Sequence, residues 1–360
     1  MAFGLIPGVI QYFNGAVDIV YIRPITIDYT LCGSNDVTDF PVFVKMRDNS
    51  LSNKENGGHV NYRNGNDIRF YSDIALQNQL SWEIISYDDV VGSLIAWVKV
   101  PTVSSTGDTT FYITYGDSNN STYAGNAQNV WSNSYKRVYH LNEDYSDVFG
   151  YNGTTPNDAV TFTTAGKLSN AAQFFVTGNT VITAADTDLP SGSDKRTVSF
   201  WFNISSYAQN PAEPFRIILG YGTTGSFDNA FLIGPYYYSN NAITFSQWGA
   251  ALSTDPVNLN QWYHFTMMTD INGAVTLYLN GQFVTSSVMA INTILDGTFY
   301  LGQHLDSEPD TAKYDGLLSH VTVSDVVRSD DWITTEYNNQ NNPGTVDVDG
   351  FLKYGTETTL

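Results

Sequence analysis

The stretch QWYHFTMMTDINGAVTLYLNGQFV, residues 261–284, decides the fold. Its first half alternates Trp262, His264, Thr266 and Met268 against Tyr263, Phe265, Met267 and Thr269. Successive side chains of a strand point to opposite faces. Both sets are largely apolar, which predicts a strand buried on both sides, as in the core of a β-sandwich. Asn272-Gly273 and Asn280-Gly281 each read as a two-residue hairpin turn, because type I′ geometry needs positive φ at both central positions. Three consecutive strands joined by two such turns make a meander.

The same period-2 signal recurs along the chain, and helical periodicity is nearly absent. Candidate strands are YIRPITIDYTL (21–31), FPVFVKM (40–46), LIAWVKV (94–100) and TTFYITYG (109–116). In the third, Leu94, Ala96, Val98 and Val100 share one face. The polar run 117–129, DSNNSTYAGNAQN, is expected to link two domains. Beyond it lie AAQFFV (171–176), RTVSFWFNI (196–204), FRIILGYG (215–222), NAFLIG (229–234), AITFSQW (242–248), GTFYLG (297–302) and GLLSHVTVS (316–324). One helix is predicted after Ser329, which can cap it. Asp330 and Asp331 suit its N-terminal dipole, and Trp332, Ile333, Glu336 and Tyr337 fall at helical spacing. Trp97, Trp201 and Trp262 sit inside strand patterns and are assigned to the core.

Composition narrows the function. Of 360 residues only 14% are charged, with 36 acids against 16 bases and a net charge of −20. Nucleic-acid affinity rests on Lys and Arg, so a phosphate-backbone partner is not expected, nor docking on an anionic membrane. The balance suits divalent cations or neutral glycans. The single cysteine, Cys32, permits no intrachain disulfide and reads as a small buried hydrophobe. The apolar opening MAFGLIPGVIQYF lacks the basic segment of a secretory signal and is too short to span a membrane. It is expected to be an anchoring arm.

The motifs VYHLNED (138–144), GKLSNAAQF (166–174), TVSFWFNI (197–204), QWYHFTMMTD (261–270), LYLNGQ (277–282), FYLGQ (299–303) and WITTEYNNQNNPGT (332–345) carry a resemblance. In that order they resemble a laminin-G-like, concanavalin A-like jelly roll. DIRFYSD (67–73), LSWEIISYD (80–88), AWVKVP (96–101) and FYITYGD (111–117) resemble the small β domain of unknown function that often precedes such jelly rolls in bacterial and phage surface proteins. The expectation is an all-β chain with an arm at 1–20, a small sandwich-like β domain at 21–117, a linker at 118–129, a jelly roll at 130–345 and a tail at 346–360. In YDGLLSHVTVS, Ser319 and His320 stand where the family usually carries acids.

Catalytic signatures are missing. Retaining glycoside hydrolysis needs two carboxyl groups roughly 5 Å apart. No E-x-D-x-E run supplies them, and Glu83, Glu143, Glu213, Glu308 and Glu336 each stand alone. No G-x-S-x-G elbow is present, and His59, His140, His264, His304 and His320 lack zinc-ligand spacing. Calcium prefers several oxygen ligands. The loop NEDYSDVFGYNG (142–153) offers Asp144, Asp147 and Asn152, and the resemblance places it at the ligand edge of the jelly roll. For carbohydrate, exposed aromatics would stack on sugar faces while polar groups orient them. IGPYYYSNN (233–241) supplies Tyr236, Tyr237, Tyr238 and Asn240, and Trp248 closes the next strand.

The resemblance implies an extracellular module, and no export signal is read here. A phage virion, released by lysis, reconciles the two. The expected function is therefore a non-enzymatic virion surface protein, a capsid decoration or a tail adhesin, that binds host-surface carbohydrate. The arm would contact other virion proteins, and a homo-oligomer is expected. The alternatives are a polysaccharide-acting glycoside hydrolase and a cellular surface adhesin.

Overall fold

The computed structural model describes residues 19–156, 160–178, 180–207, 215–303 and 312–360. The arm expected at 1–20 lies outside them except for its last two residues, as do Glu213, His304 and Glu308. The fold is mostly β, a small two-sheet module followed by a concanavalin A-like sandwich. No helix among the described residues is long and apolar enough to cross a membrane.

In the first module, strands Val37–Arg47, Ser93–Val103 and Ser81–Asp88 form a three-stranded sheet with Ser93–Val103 at its centre. Leu94, Ala96, Val98 and Val100 are all buried, as their alternation predicts. The opposing sheet orders Leu352–Tyr354, Tyr21–Ile27, Thr109–Tyr115 and Arg69–Tyr71. Its outer strand comes from the segment expected to be a tail. Thr26 pairs with Lys353, Tyr21 with Thr359, and Lys353 Nζ reaches Asp28 at 2.8 Å. The expected linker is stitched down too. Arg69 donates to the Thr122 carbonyl, and Tyr123 packs edge-on against Trp82.

The second module stacks an eight-stranded sheet on a six-stranded one. Phe200, Phe202, Phe265 and Leu277 face Tyr221, Phe231, Ile243 and Phe245 across the core. The helix Asp330–Asn341, capped by Ser329 as expected, covers the outer side of strands Arg196–Ile204 and Trp262–Thr269. That cover explains why Trp262–Thr269 is apolar on both faces, and why its helix-facing side also carries His264 and Thr266. Asn280 and Gly281 take the positive φ of a two-residue turn. The other hairpin differs. Only Gly273 has positive φ, and Gly273 N–H closes a longer turn on the Asp270 carbonyl. The Asp270 carboxylate accepts from the amides of Asn272 and Ala274, which favours the longer turn.

The modules share a core. Trp97, on the far face of its strand, packs against Trp131 at 5.0 Å and His320 at 4.5 Å. Phe40 meets Trp332 of the helix. Trp97 and Trp201 are buried, as assigned, and Trp262 is half-buried.

Candidate functional site

The strands Ala230–Tyr236, Ala242–Ser246 and Ala251–Pro256 end the six-stranded sheet. Phe231, Ile233, Ile243 and Phe245 point into the core. Tyr236, Thr244 and Ser246 alternate with them and line a groove of ≈ 210 Å³ on the other face. Phe215 crosses the groove's end, edge-on to Tyr236 at 5.5 Å.

Trp248 forms the opposite wall. Gln247 N–H donates to the Ala250 carbonyl, making a tight turn between two strands. Trp248 sits in it at φ +79°, a conformation costly for a bulky residue, with its N–H on Ser246 Oγ at 3.2 Å. The side chain is 44% exposed. Beneath it, buried Gln247 donates to Asp228 Oδ1 at 2.9 Å, tying the turn to the neighbouring loop. That loop carries Phe227, 76% exposed, whose ring occupies the space a Cβ on Gly249 would need, 2.7 Å away.

The structure thus brings Tyr236 and Trp248 to one groove. Tyr237, Tyr238 and Asn240 belong to the adjoining 3-10 turn, Tyr237–Ser239, which Asn240 ends at φ +52°. Tyr238 is 63% exposed and contacts the Tyr236 ring at 5.6 Å. Asn240 is exposed but does not line the groove. Sequence reading missed Phe215, Phe227, Thr244 and Ser246. Phe215 opens a run read only as a strand, Phe227 sits in a loop-like run, and the hydroxyls carry no signal until strand register places them beside Tyr236. Among the described residues the groove is lined by hydroxyls and aromatic rings and by no carboxylate. Such a surface can hold a polyhydroxylated ligand.

A second cavity, ≈ 360 Å³, lies at the module junction against Glu83, His140, Glu143, Asp144 and Asp147. Its buried carboxylates are already engaged. Glu83 accepts from Trp131 Nε1 at 2.6 Å and meets His140 Nε2 at 2.8 Å. His140 Nδ1 lies 3.3 Å from His320 Nδ1. Burial, and then the neighbouring His140 and His264, hold His320 well below the ordinary histidine pKa.

The expected calcium ligands do not converge as an open shell. Asp147 Oδ1 accepts from Val138 N–H, and its Oδ2 from the amides of Phe149 and Tyr151. Asn152 Oδ1 accepts from Asp147 N–H, and Asp144 caps the amide of Ser146. Burial raises the Asp147 pKa, an effect its amide donors oppose. No group of three or more His, Cys, Asp or Glu among the described residues could hold a metal ion. These hydrogen bonds fold the loop.

A further polar seam lies under the helix. Ser199 Oγ donates to Glu336 Oε2 at 3.1 Å and meets Thr266 Oγ1 at 2.7 Å, and Trp201 Nε1 donates to Gln340. His264 Nε2 is 4.0 Å from Glu336. Burial pushes His264 down to about 3 and Glu336 up to about 7, so at neutral pH the imidazole is neutral and the two form no ion pair.

Residues 176–334 match the family model of the concanavalin A-like lectin/glucanases superfamily, laminin-G type, and residues 64–149 match a domain of unknown function, DUF2341. The chain carries a laminin-G-type concanavalin A-like domain preceded by a DUF2341 domain. Among solved structures, the chain is similar to domain 4 of AbnA, an extracellular arabinanase from Geobacillus stearothermophilus, solved with arabinotriose. That match has 18% identity and TM-score 0.46, covering 56% of this chain and 97% of that one. It is also similar to the botulinum neurotoxin serotype D binding domain, with 19% identity, TM-score 0.43 and coverage of 57% and 52%. The binding domain of Paraclostridial Mosquitocidal Protein 1 matches at 14% identity, TM-score 0.43 and coverage of 57% and 52%. The chain thus spans about half of each toxin domain. No curated protein sequence matches it.

Proposed function

We propose that this chain is a non-enzymatic carbohydrate-binding protein that holds a sugar ring in the Tyr236–Trp248 groove. One observation carries the reading: Trp248 is held exposed at a strained φ over a groove whose other contributors are hydroxyls and rings. Strain of this kind persists only where surrounding structure fixes it, and it clusters at binding sites. The tryptophan face would stack on the apolar face of a sugar, and Tyr236, Thr244 and Ser246 would orient its hydroxyls. At the junction cavity, the hydrogen bonds that hold Glu83 and Asp147 support binding over hydrolysis. The saccharide bound by domain 4 of AbnA motivates a neutral oligosaccharide as the first ligand to try.

Display on a virion is the second half of the proposal. It rests on the acidic, lysine-poor composition and on the order of the two modules. Glycan-array screening of the whole chain beside Trp248→Ala tests the binding. Hits shared equally by both proteins would refute the groove. Cryo-electron microscopy of the source particle tests the setting, and a particle without this chain would favour the cellular adhesin.

A further inference from the structure

Another cavity, of ≈ 500 Å³, opens where the two modules meet at the C-terminal end of the helix. Phe43, Lys45 and Arg47 face it from the first module, and Lys167, Gln340 and Asn341 from the second. In a chain with 36 acids and 16 bases, the described residues that line this cavity include three bases and no acid. No carboxylate of the described residues pairs with Lys45, Arg47 or Lys167.

The two ammonium groups have partners, but only uncharged ones. Lys45 Nζ donates to the Leu168 carbonyl at 3.2 Å. Lys167 Nζ donates to Asn341 at Oδ1, 2.8 Å, and at its carbonyl, 3.4 Å, and lies over the Trp201 ring. An ammonium has three N–H groups, so Lys45 keeps two and Lys167 one for a ligand. Lys45 is exposed and Lys167 half-buried; partial desolvation lowers both pKa values, and for Lys167 the nearby charge of Lys45 lowers it further. An anion placed between them would relieve both costs. Pro343 and exposed Val348 add apolar surface to the lining, and Asn341 adds an exposed amide. A bare ion would leave that surface and volume unused.

We propose that this interdomain cleft binds an anionic sugar unit, one bearing a carboxylate or a sulfate, with Lys45 and Lys167 on the anion and Val348 beside the ring. The site is separate from the Trp248 groove and stands even if that groove binds nothing.

Isothermal titration of the whole chain tests it, with trigalacturonate, a sulfated trisaccharide, neutral trigalactose and free sulfate as ligands. The expected result is binding of at least one acidic trisaccharide that weakens as salt is raised. Lys45→Gln/Lys167→Gln should reduce that affinity by about tenfold or more, and exposed Arg47→Gln by about threefold. Trp248→Ala should leave it unchanged. Which acidic trisaccharide binds separates the uronate source from the sulfated one. The proposal falls if neither acidic trisaccharide binds, if trigalactose binds as well, if free sulfate binds equally tightly, or if neither lysine nor arginine variant changes the affinity.

Discussion

Asn339 satisfies both backbone groups of Phe43: Phe43 N–H donates to Oδ1 at 2.7 Å, and Nδ2 donates to the Phe43 carbonyl at 3.0 Å. Strand Val37–Arg47 lies at the edge of its sheet, where such groups would otherwise be unpaired. One amide from the second module thus does the work of a neighbouring strand. Asn339→Ala leaves two buried groups without partners, at about 1–3 kcal/mol each. Urea denaturation of the whole chain should show a loss of about 2–4 kcal/mol.

Glu336 gives a pH signature. Its folded pKa, about 7, lies above the ordinary 4.5, so folding favours the protonated acid. The stability this contributes is complete below pH 4.5 and is lost as pH rises through 7. His264, depressed to about 3, acts oppositely, and its contribution is lost as pH falls below 6.5. Glu336→Gln isolates the first effect while keeping an acceptor for Ser199. Relative to wild type, the variant should gain stability from pH 5 to 8, approaching about 3 kcal/mol above pH 7. A flat difference across that range would show that Glu336 ionises without cost.

Trp248 is exposed, so its removal should separate binding from folding. Trp248→Ala should cost about 2 kcal/mol of saccharide affinity, roughly thirtyfold, with an unchanged melting temperature. Tyr236→Phe tests the orienting hydroxyl and should lose less, about 1 kcal/mol. Calorimetry on the best array ligand reads both.

Cys32 should be nearly inert. Burial, with the Asp28 and Asp108 carboxylates adding to it, pushes its thiol up to about 12. Alkylation proceeds through the thiolate, and an ordinary thiol has a pKa near 8.5. At pH 8 the folded protein should react with iodoacetamide more than about 100-fold slower than the urea-unfolded chain. Equal rates would mean that the segment after Asp28 opens freely.

Much of this fold is legible residue by residue. The alternation of Leu94, Ala96, Val98 and Val100 predicts their burial, and Ser329 with Asp330 predicts the helix start. Trp97 is readable as core, but its partners Trp131 and His320 lie far along the chain, and no local pattern pairs them. Leu352–Tyr354 is too short for a strand signal of its own and exists because strand Tyr21–Ile27 offers it an edge. Asp147 reads as a metal ligand in sequence, and nothing there shows that the amides of Val138, Phe149 and Tyr151 also donate to its oxygens. The groove is half legible. Tyr236 and Trp248 announce themselves by type, whereas Phe215 and Ser246 join them only through pairings such as Leu232 with Ser246.

The strand at 352–354 also sets a timetable. The sheet that begins at Tyr21 gains its outer strand from residues synthesised more than three hundred positions later, with the whole sandwich in between. Contacts so distant in sequence form late, because a long loop must first be closed. During synthesis, Tyr21–Ile27 therefore waits with one edge unpaired until Leu352–Thr359 has left the ribosome. The first module to emerge is the last to be finished.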